Sequence, residues 1–268
     1  MGGLDIATRM VVGFVVGTFG TLIGAGGGFI LVPLLLVGYH FPPADAVGTS
    51  LSLVFLNALS GSAAYLRQRR VDLALGWRFA LATLPGAIGG VYVTRSLSSR
   101  AFGQAFGVVL IIVAVFLFLG RTAAPSARAD SRQLVDASGG THHYRVDVWK
   151  GVMVSLLVGV ISSIFGIGGG IIHVPFLIVV LGLPVHVATA TSHFVLSISA
   201  FVGAVTFLAL GHVDLTTFAL MGIGVLLGAQ VGARMSIGTS AAVIRGVLAG
   251  SLAVVGVRMI VMGVNLPR

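Results

Sequence analysis

Cysteine is absent from this 268-residue chain, so disulfides and thiolate metal sites are excluded outright. Charge is scarce: Asp, Glu, Lys and Arg make up 9% of residues, where a water-soluble domain carries about a quarter. The apolar runs contain no Glu and no mid-run Asp, which speaks against an acidic cation site or a carboxylate proton relay. What is abundant is apolar: 57% of residues are hydrophobic and the mean hydropathy is +1.09. Such a composition belongs to a membrane protein. The formal charge of +9 would suggest nucleic acid in a soluble chain. Here most Arg residues lie in short connections between apolar runs, where cytoplasmic retention accounts for them and no nucleic-acid partner is expected. A secretory signal is not expected either. Asp5 and Arg9 precede an apolar run that recurs at Gly151–Phe165.

Glycine supplies the organising feature. Gly24-Ala25-Gly26-Gly27-Gly28 interrupts two apolar segments, Thr8–Ile23 and Phe29–Gly38, with Val32-Pro33 in the second. The same arrangement returns 142 residues later at Gly166-Ile167-Gly168-Gly169-Gly170, with Val174-Pro175 following. The offset holds without a gap: Pro42 falls on Pro184, Thr49-Ser50 on Thr191-Ser192, Gly61 on Gly203 and Val71-Asp72-Leu73 on Val213-Asp214-Leu215. The chain is a duplicated unit. Its expected division is an N-terminal transmembrane repeat over 1–120, a flexible cytoplasmic linker over 121–147, and a C-terminal transmembrane repeat over 148–268.

Apolar runs fall at 8–23, 29–39, 46–66, 73–94 and 101–120, with copies at 148–165, 171–182, 188–210, 214–235 and 241–262. A crossing helix needs about 20 residues, which the third to fifth runs of each half supply. The second run as a helix would be about 16 Å long and cannot cross alone. Either the chain makes a re-entrant hairpin at the glycines, or the first two runs form one broken, tilted crossing. A hairpin with three crossings makes the halves inverted; a broken crossing with three makes them parallel. Arg67, Arg69 and Arg70 form a basic knot with no counterpart in Leu210–Val213, which favours inverted halves with both termini outside. The fold expected is therefore all-α and polytopic, in two homologous halves. The linker, rich in Ala, Ser, Gly and charge, reads as flexible. Its adjacent His142 and His143 lack the acidic or Cys partner that a metal site needs.

Unwound backbone at membrane depth is tolerated only where protein buries it or it lines a polar cavity. A helix starting near Phe29, and its copy near Ile171, would aim free N–H groups and a positive dipole end at the break. Two such ends meeting near the midplane can hold an anion without a cationic side chain. Candidate substrate-binding residues are therefore Gly26, Gly27, Gly28, Gly168, Gly169 and Gly170. Thr49, Ser50, Asn57, Thr191, Ser192 and His193 follow as side chains able to complete an anion's shell. Close helix packing is the alternative for the glycines, and back-bonding to the helix for the hydroxyls. His173 and His193 are candidates for proton coupling, against a neutral packing role. Asp72 and Asp214 read as helix N-caps, and Arg78 and Arg245 as snorkelling residues.

Taken with these residues, the sequence resembles the TauE/SafE family of sulfite exporters. The resemblance rests on the two glycine motifs with their Val-Pro, on Gly48-Thr49-Ser50-Leu51 and on Ala190-Thr191-Ser192, and covers about 8 to 262. It implies an inner-membrane permease for sulfur-containing anions such as sulfite, sulfoacetate, organosulfonates or sulfate. The expected activity is secondary transport by alternating access, with export the favoured direction. The chain has no nucleotide-binding motif, so an H⁺ or Na⁺ gradient, or the anion's own, must drive it; no other cofactor is expected. Uptake and a passive anion channel stay open as alternatives, as does a homodimer. A membrane-embedded enzyme is disfavoured, because no Asp, Glu or Cys lies inside the runs to complement a histidine.

Overall fold

The computed structural model describes residues 3–120 and 129–263. Ten helices and one β-hairpin follow in order among them. In the first half these are α1 (Gly3–Leu22), α2 (Gly28–Pro33), α3 (Pro43–Arg67), α4 (Leu73–Thr94) and α5 (Ser99–Leu119). The second half repeats them as α6 (Val148–Phe165), α7 (Gly170–Val179), α8 (Val185–Ala209), α9 (Leu215–Gly238) and α10 (Ala241–Gly263). Seven of these, all but α2, α4 and α7, are long and apolar enough to cross a membrane. This is an all-α, multi-pass membrane protein. At 22 residues, α4 has the length of a crossing.

At each glycine motif the chain doubles back. A Cβ on Gly27 would meet Val16, eleven positions earlier, and the rings of Phe19 and Phe29 lie 6.4 Å apart. Pro33 then leaves its turn without a donor, and the helix widens into a π-turn over Leu34–Gly38.

Two helix pairs pack backbone to backbone through small residues. A Cβ on Gly13, Gly17, Gly224 or Gly232 would come within 2.6 Å of a carbonyl oxygen across the α1/α9 contact. Gly90 and Gly159 do the same between α4 and α6, where a Cβ on Gly86 would lie 2.7 Å from Leu156 O. Without such glycines these axes could not approach so closely. The pairing runs in step in both cases: Gly13 faces Met221 and Gly17 faces Val225, so α1 and α9 are parallel. By contrast α3 and α8 are antiparallel, with Gly48 against Phe207, Phe55 against Phe201 and Gly61 against His193. The α5/α10 pair is also antiparallel, with Gly107 against Gly256 and Arg245 bonded to Leu117 and Gly120. That Arg245 contact corrects the expectation of a snorkelling residue. Its guanidinium closes orphan carbonyls at the end of α5 instead.

The linker, read as a flexible connection, contains an antiparallel hairpin, β1 (Asp130–Val135) with β2 (Thr141–Val146). Residues 121–128 lie outside the described residues. The hairpin is docked rather than loose. Arg132 donates to both carboxylate oxygens of Asp72 (3.2 and 3.0 Å) and the Tyr144 hydroxyl donates to the same group at 2.9 Å. Ala137 N–H reaches Gln68 O at 2.9 Å, and Val146 is fully buried in the core. Burial first, and then the Asp72 carboxylate, push the Tyr144 phenol above its ordinary range, so it remains a donor. In the turn, the Ser138 hydroxyl at 2.6 Å, aided by the Gly140 N–H, holds the Asp136 carboxyl well below the usual carboxylate range. A depressed carboxylate contributes stability above its unfolded pKa and loses it as pH falls. The Asp136 carboxylate therefore stays ionised, and keeps accepting from Ser138 and Gly140, throughout the neutral range.

Candidate functional site

Six glycines give both breaks their shape. Gly24, Gly26 and Gly27 take φ of 75°, 76° and 81°; Gly166, Gly168 and Gly169 take 69°, 70° and 83°. Only glycine adopts this left-handed region freely. Gly27 and Gly169 cap the two half-helices. The Gly27 carbonyl receives Ile30 and Leu31 (3.0 and 3.1 Å), and that of Gly169 receives Ile172 and His173 (3.1 and 2.9 Å).

The donors just before them are different. Among the described residues, no acceptor receives the N–H groups of Gly27, Gly28 and Phe29, nor those of Gly169, Gly170 and Ile171. All six residues are buried. Buried backbone donors rarely go without a partner, and a helix start in which they remain free is a place where a ligand or water binds.

The two breaks touch. A Cβ on Gly28 would lie 2.6 Å from Gly166 O, and one on Gly170 would lie 2.6 Å from Gly24 O. Val54 and Leu196, related by the repeat offset, each lie against both Gly26 and Gly168. They form an apolar wall between the tips. Sequence reading missed them, because an apolar residue in mid-helix looks like ordinary core; their shared offset was the available signal.

The expected side chains divide by place. The hydroxyl oxygens of Thr49 and Thr191 are engaged at helix starts: they accept from the N–H of Asp214 (2.9 Å) and Asp72 (3.0 Å), tying α3 to the start of α9 and α8 to the start of α4. Asp72 and Asp214 in turn cap those helices, accepting from Leu75 and Thr217. Ser50 donates to Gly166 O at 2.9 Å and so braces the second break. Its copy, Ser192, is buried with a hydroxyl that has no partner. Asn57 donates to Gly17 O (2.8 Å) and accepts from the Thr21 hydroxyl (3.0 Å), which also lies 3.4 Å from His193 Nε2. Tyr65 closes this group, donating to Thr21 O at 2.7 Å and meeting the His193 ring edge-on. Thr21 and Tyr65 were not foreseen. His173 stands apart, 3.2 Å from the Ser155 hydroxyl and edge-on to Phe79. His173 Nδ1 is buried with no partner among the described residues.

His142 bonds Asp136 at 3.2 Å. Among the described residues no group of three His, Asp or Glu could hold a metal ion.

A helical membrane protein with two buried, donor-rich backbone breaks in contact is the class that fold and site define. The chain belongs to the sulfite exporter TauE/SafE family, whose model matches residues 10–259. It is 32% identical over 243 residues to the probable membrane transporter protein YunE of Bacillus subtilis (strain 168), covering 87% of this chain and 89% of that one. A probable membrane transporter protein of Methanocaldococcus jannaschii is 26% identical over 266 residues, 94% of each chain. Another, from Xylella fastidiosa (strain Temecula1), is 30% identical over 245 residues, 86% of each. No solved structure matches the chain. The family and these relatives are membrane transporters, not enzymes.

Proposed function

We propose that the protein is a secondary transporter that exports small sulfur-containing anions, sulfite or an organosulfonate, across the inner membrane by alternating access. The observation that carries this reading is the set of six buried, unpartnered N–H groups at two touching half-helix starts. Such donors favour an anion with several oxygens and need no cationic side chain. Gly26–Gly28 and Gly168–Gly170 would hold the substrate. Ser192, with its free hydroxyl, and Ser50 would complete the shell from opposite halves. Thr49 and Thr191 would act one step removed, by fixing the helices around the site. An H⁺ or Na⁺ gradient would supply the coupling, and His193, beside Thr21 near the first break, is better placed for a proton than His173.

The halves are proposed to be inverted. Support comes from the antiparallel α3/α8 and α5/α10 pairs, each made of repeat-related helices, which an axis in the membrane plane would generate. The basic knot and the hairpin then share the cytoplasmic side.

Proteoliposomes loaded with unlabelled sulfite should take up labelled sulfite transiently to well above equilibrium, and unlabelled sulfoacetate inside should support the same exchange. Uptake that never exceeds equilibrium would point to a channel. No uptake of any sulfur anion by protein that is folded would remove the substrate class.

A further inference from the structure

The repeat offset pairs Arg70 with His212 and Val187 with Asp45. At one end of the molecule His212 Nδ1 lies 2.7 Å from Asp45 Oδ1, so this position meets a carboxylate. At the hairpin end Arg70 stands in its place, and the residue corresponding to the carboxylate is Val187, fully buried. The Arg70 guanidinium has neither an ion pair nor a hydrogen bond among the described residues; it is only 7% exposed, and its Nη1 is buried without a partner. The neighbouring carboxylates are spoken for: Asp72 by Arg132 and Tyr144, Asp136 by Ser138, Gly140 and His142. His186, next to Val187, also carries a buried Nδ1 with no partner, and Arg70 is near enough for its charge to act on both His186 and Tyr65.

A buried guanidinium without a counter-charge is costly, and a protein that keeps one has a negative group to offer it. Among the described residues no side chain does so. Arg70 moreover lies at the end of a polar line, Arg70–Tyr65–Thr21, which leads to the first glycine break. The planar fork of an arginine suits a group presenting two oxygens side by side, as sulfonate, sulfite and sulfate all do.

We propose that Arg70, with His186 beside it, is a second anion site, a station for a small oxyanion at the hairpin-side mouth of the transport path. The site depends on the proposed function for its place on that path, but not for its ability to bind. A lipid phosphate would suit the same fork, so the source of the anion is part of the test.

The test uses the purified full chain in lipid-free, uncharged detergent, with sulfate titrated and thermal stability and heat of binding read. Wild type should be stabilised by sulfate. Arg70→Gln should weaken the midpoint at least tenfold, and Arg70→Lys, a point charge without the fork, should fall between. Val187→Asp gives this end the carboxylate that Asp45 provides at the other. It should weaken sulfate binding as Arg70→Gln does while leaving the sulfate-free protein at least as stable as wild type. A midpoint within twofold of wild type in both Arg70→Gln and Val187→Asp would overturn the site. So would a wild type that responds to added phosphatidylglycerol but not to sulfate, or to neither. Counterflow on wild type judges the central site separately: sulfate binding that depends on Arg70, without counterflow, would keep this station and sink only the transport reading.

Discussion

Replacing Gly28 by Ala should abolish counterflow, or leave less than a tenth of it. The added Cβ would sit 2.6 Å from Gly166 O and 2.8 Å from Ile167 Cα, both of them backbone atoms that cannot swing aside. The two breaks must then move apart, and the donors proposed to share a ligand would lose their common geometry. Overpacking of this kind costs about 1–3 kcal/mol of stability, a smaller effect than the loss of transport. Gly170→Ala meets Gly24 O at the same 2.6 Å and should behave alike. Gly89→Ala is the control. It lies in α4 with nothing within 4 Å of the new methyl, and should be neutral or slightly stabilising. Counterflow and a detergent melting curve on the three variants separate a broken site from a broken fold. Wild-type transport in Gly28→Ala would mean that contact between the breaks is not needed.

A second pair of variants sets repeat-related residues against each other. Asp72 and Asp214 both cap a helix, and removing a cap costs about 1 kcal/mol. Asp72, 8% exposed, also accepts from Arg132 and Tyr144 of the hairpin, whereas Asp214 has no such partners among the described residues. Asp214→Ala should therefore cost only the cap. Asp72→Ala should cost about 3 kcal/mol more, because a largely buried guanidinium and a buried phenol are left unpaired. It should also free the hairpin, read as faster proteolysis within 130–146. Equal melting temperatures for the two variants would show that the hairpin contributes nothing by docking on Asp72.

The difference between these aspartates illustrates what a sequence of this kind makes legible. The duplication, the breaks and the caps could all be read, since each depends on residue type at a fixed local position: glycine where φ is positive, Asp before a helix. The Thr-Ser pairs were found as a pattern, but not the roles the structure gives them. The hydroxyls of Thr49 and Thr191 meet an N–H 165 and 119 residues away, and no local spacing encodes such a partner. The hairpin escaped for a related reason. Its strands are six residues long and largely polar, and what fixes them is Asp72 on a distant loop rather than a hydrophobic pattern of their own. Arg70 read as one of three topogenic arginines; only folding shows that it is buried without a counter-charge.

The direction of the two halves in the bilayer is what the shared site and alternating access both rest on. The absence of cysteine makes this directly measurable, because each introduced thiol is the only one present. Ser96, Ser138 and Ser240 are exposed, in the α4–α5 turn, the hairpin turn and the α9–α10 turn. Inverted halves place Ser96→Cys outside, labelled by a membrane-impermeant maleimide on intact cells, and Ser138→Cys and Ser240→Cys inside, labelled only after permeabilisation. Labelling of Ser96→Cys and Ser240→Cys from the same side would mean parallel halves, and would contradict a site built where two inverted breaks meet.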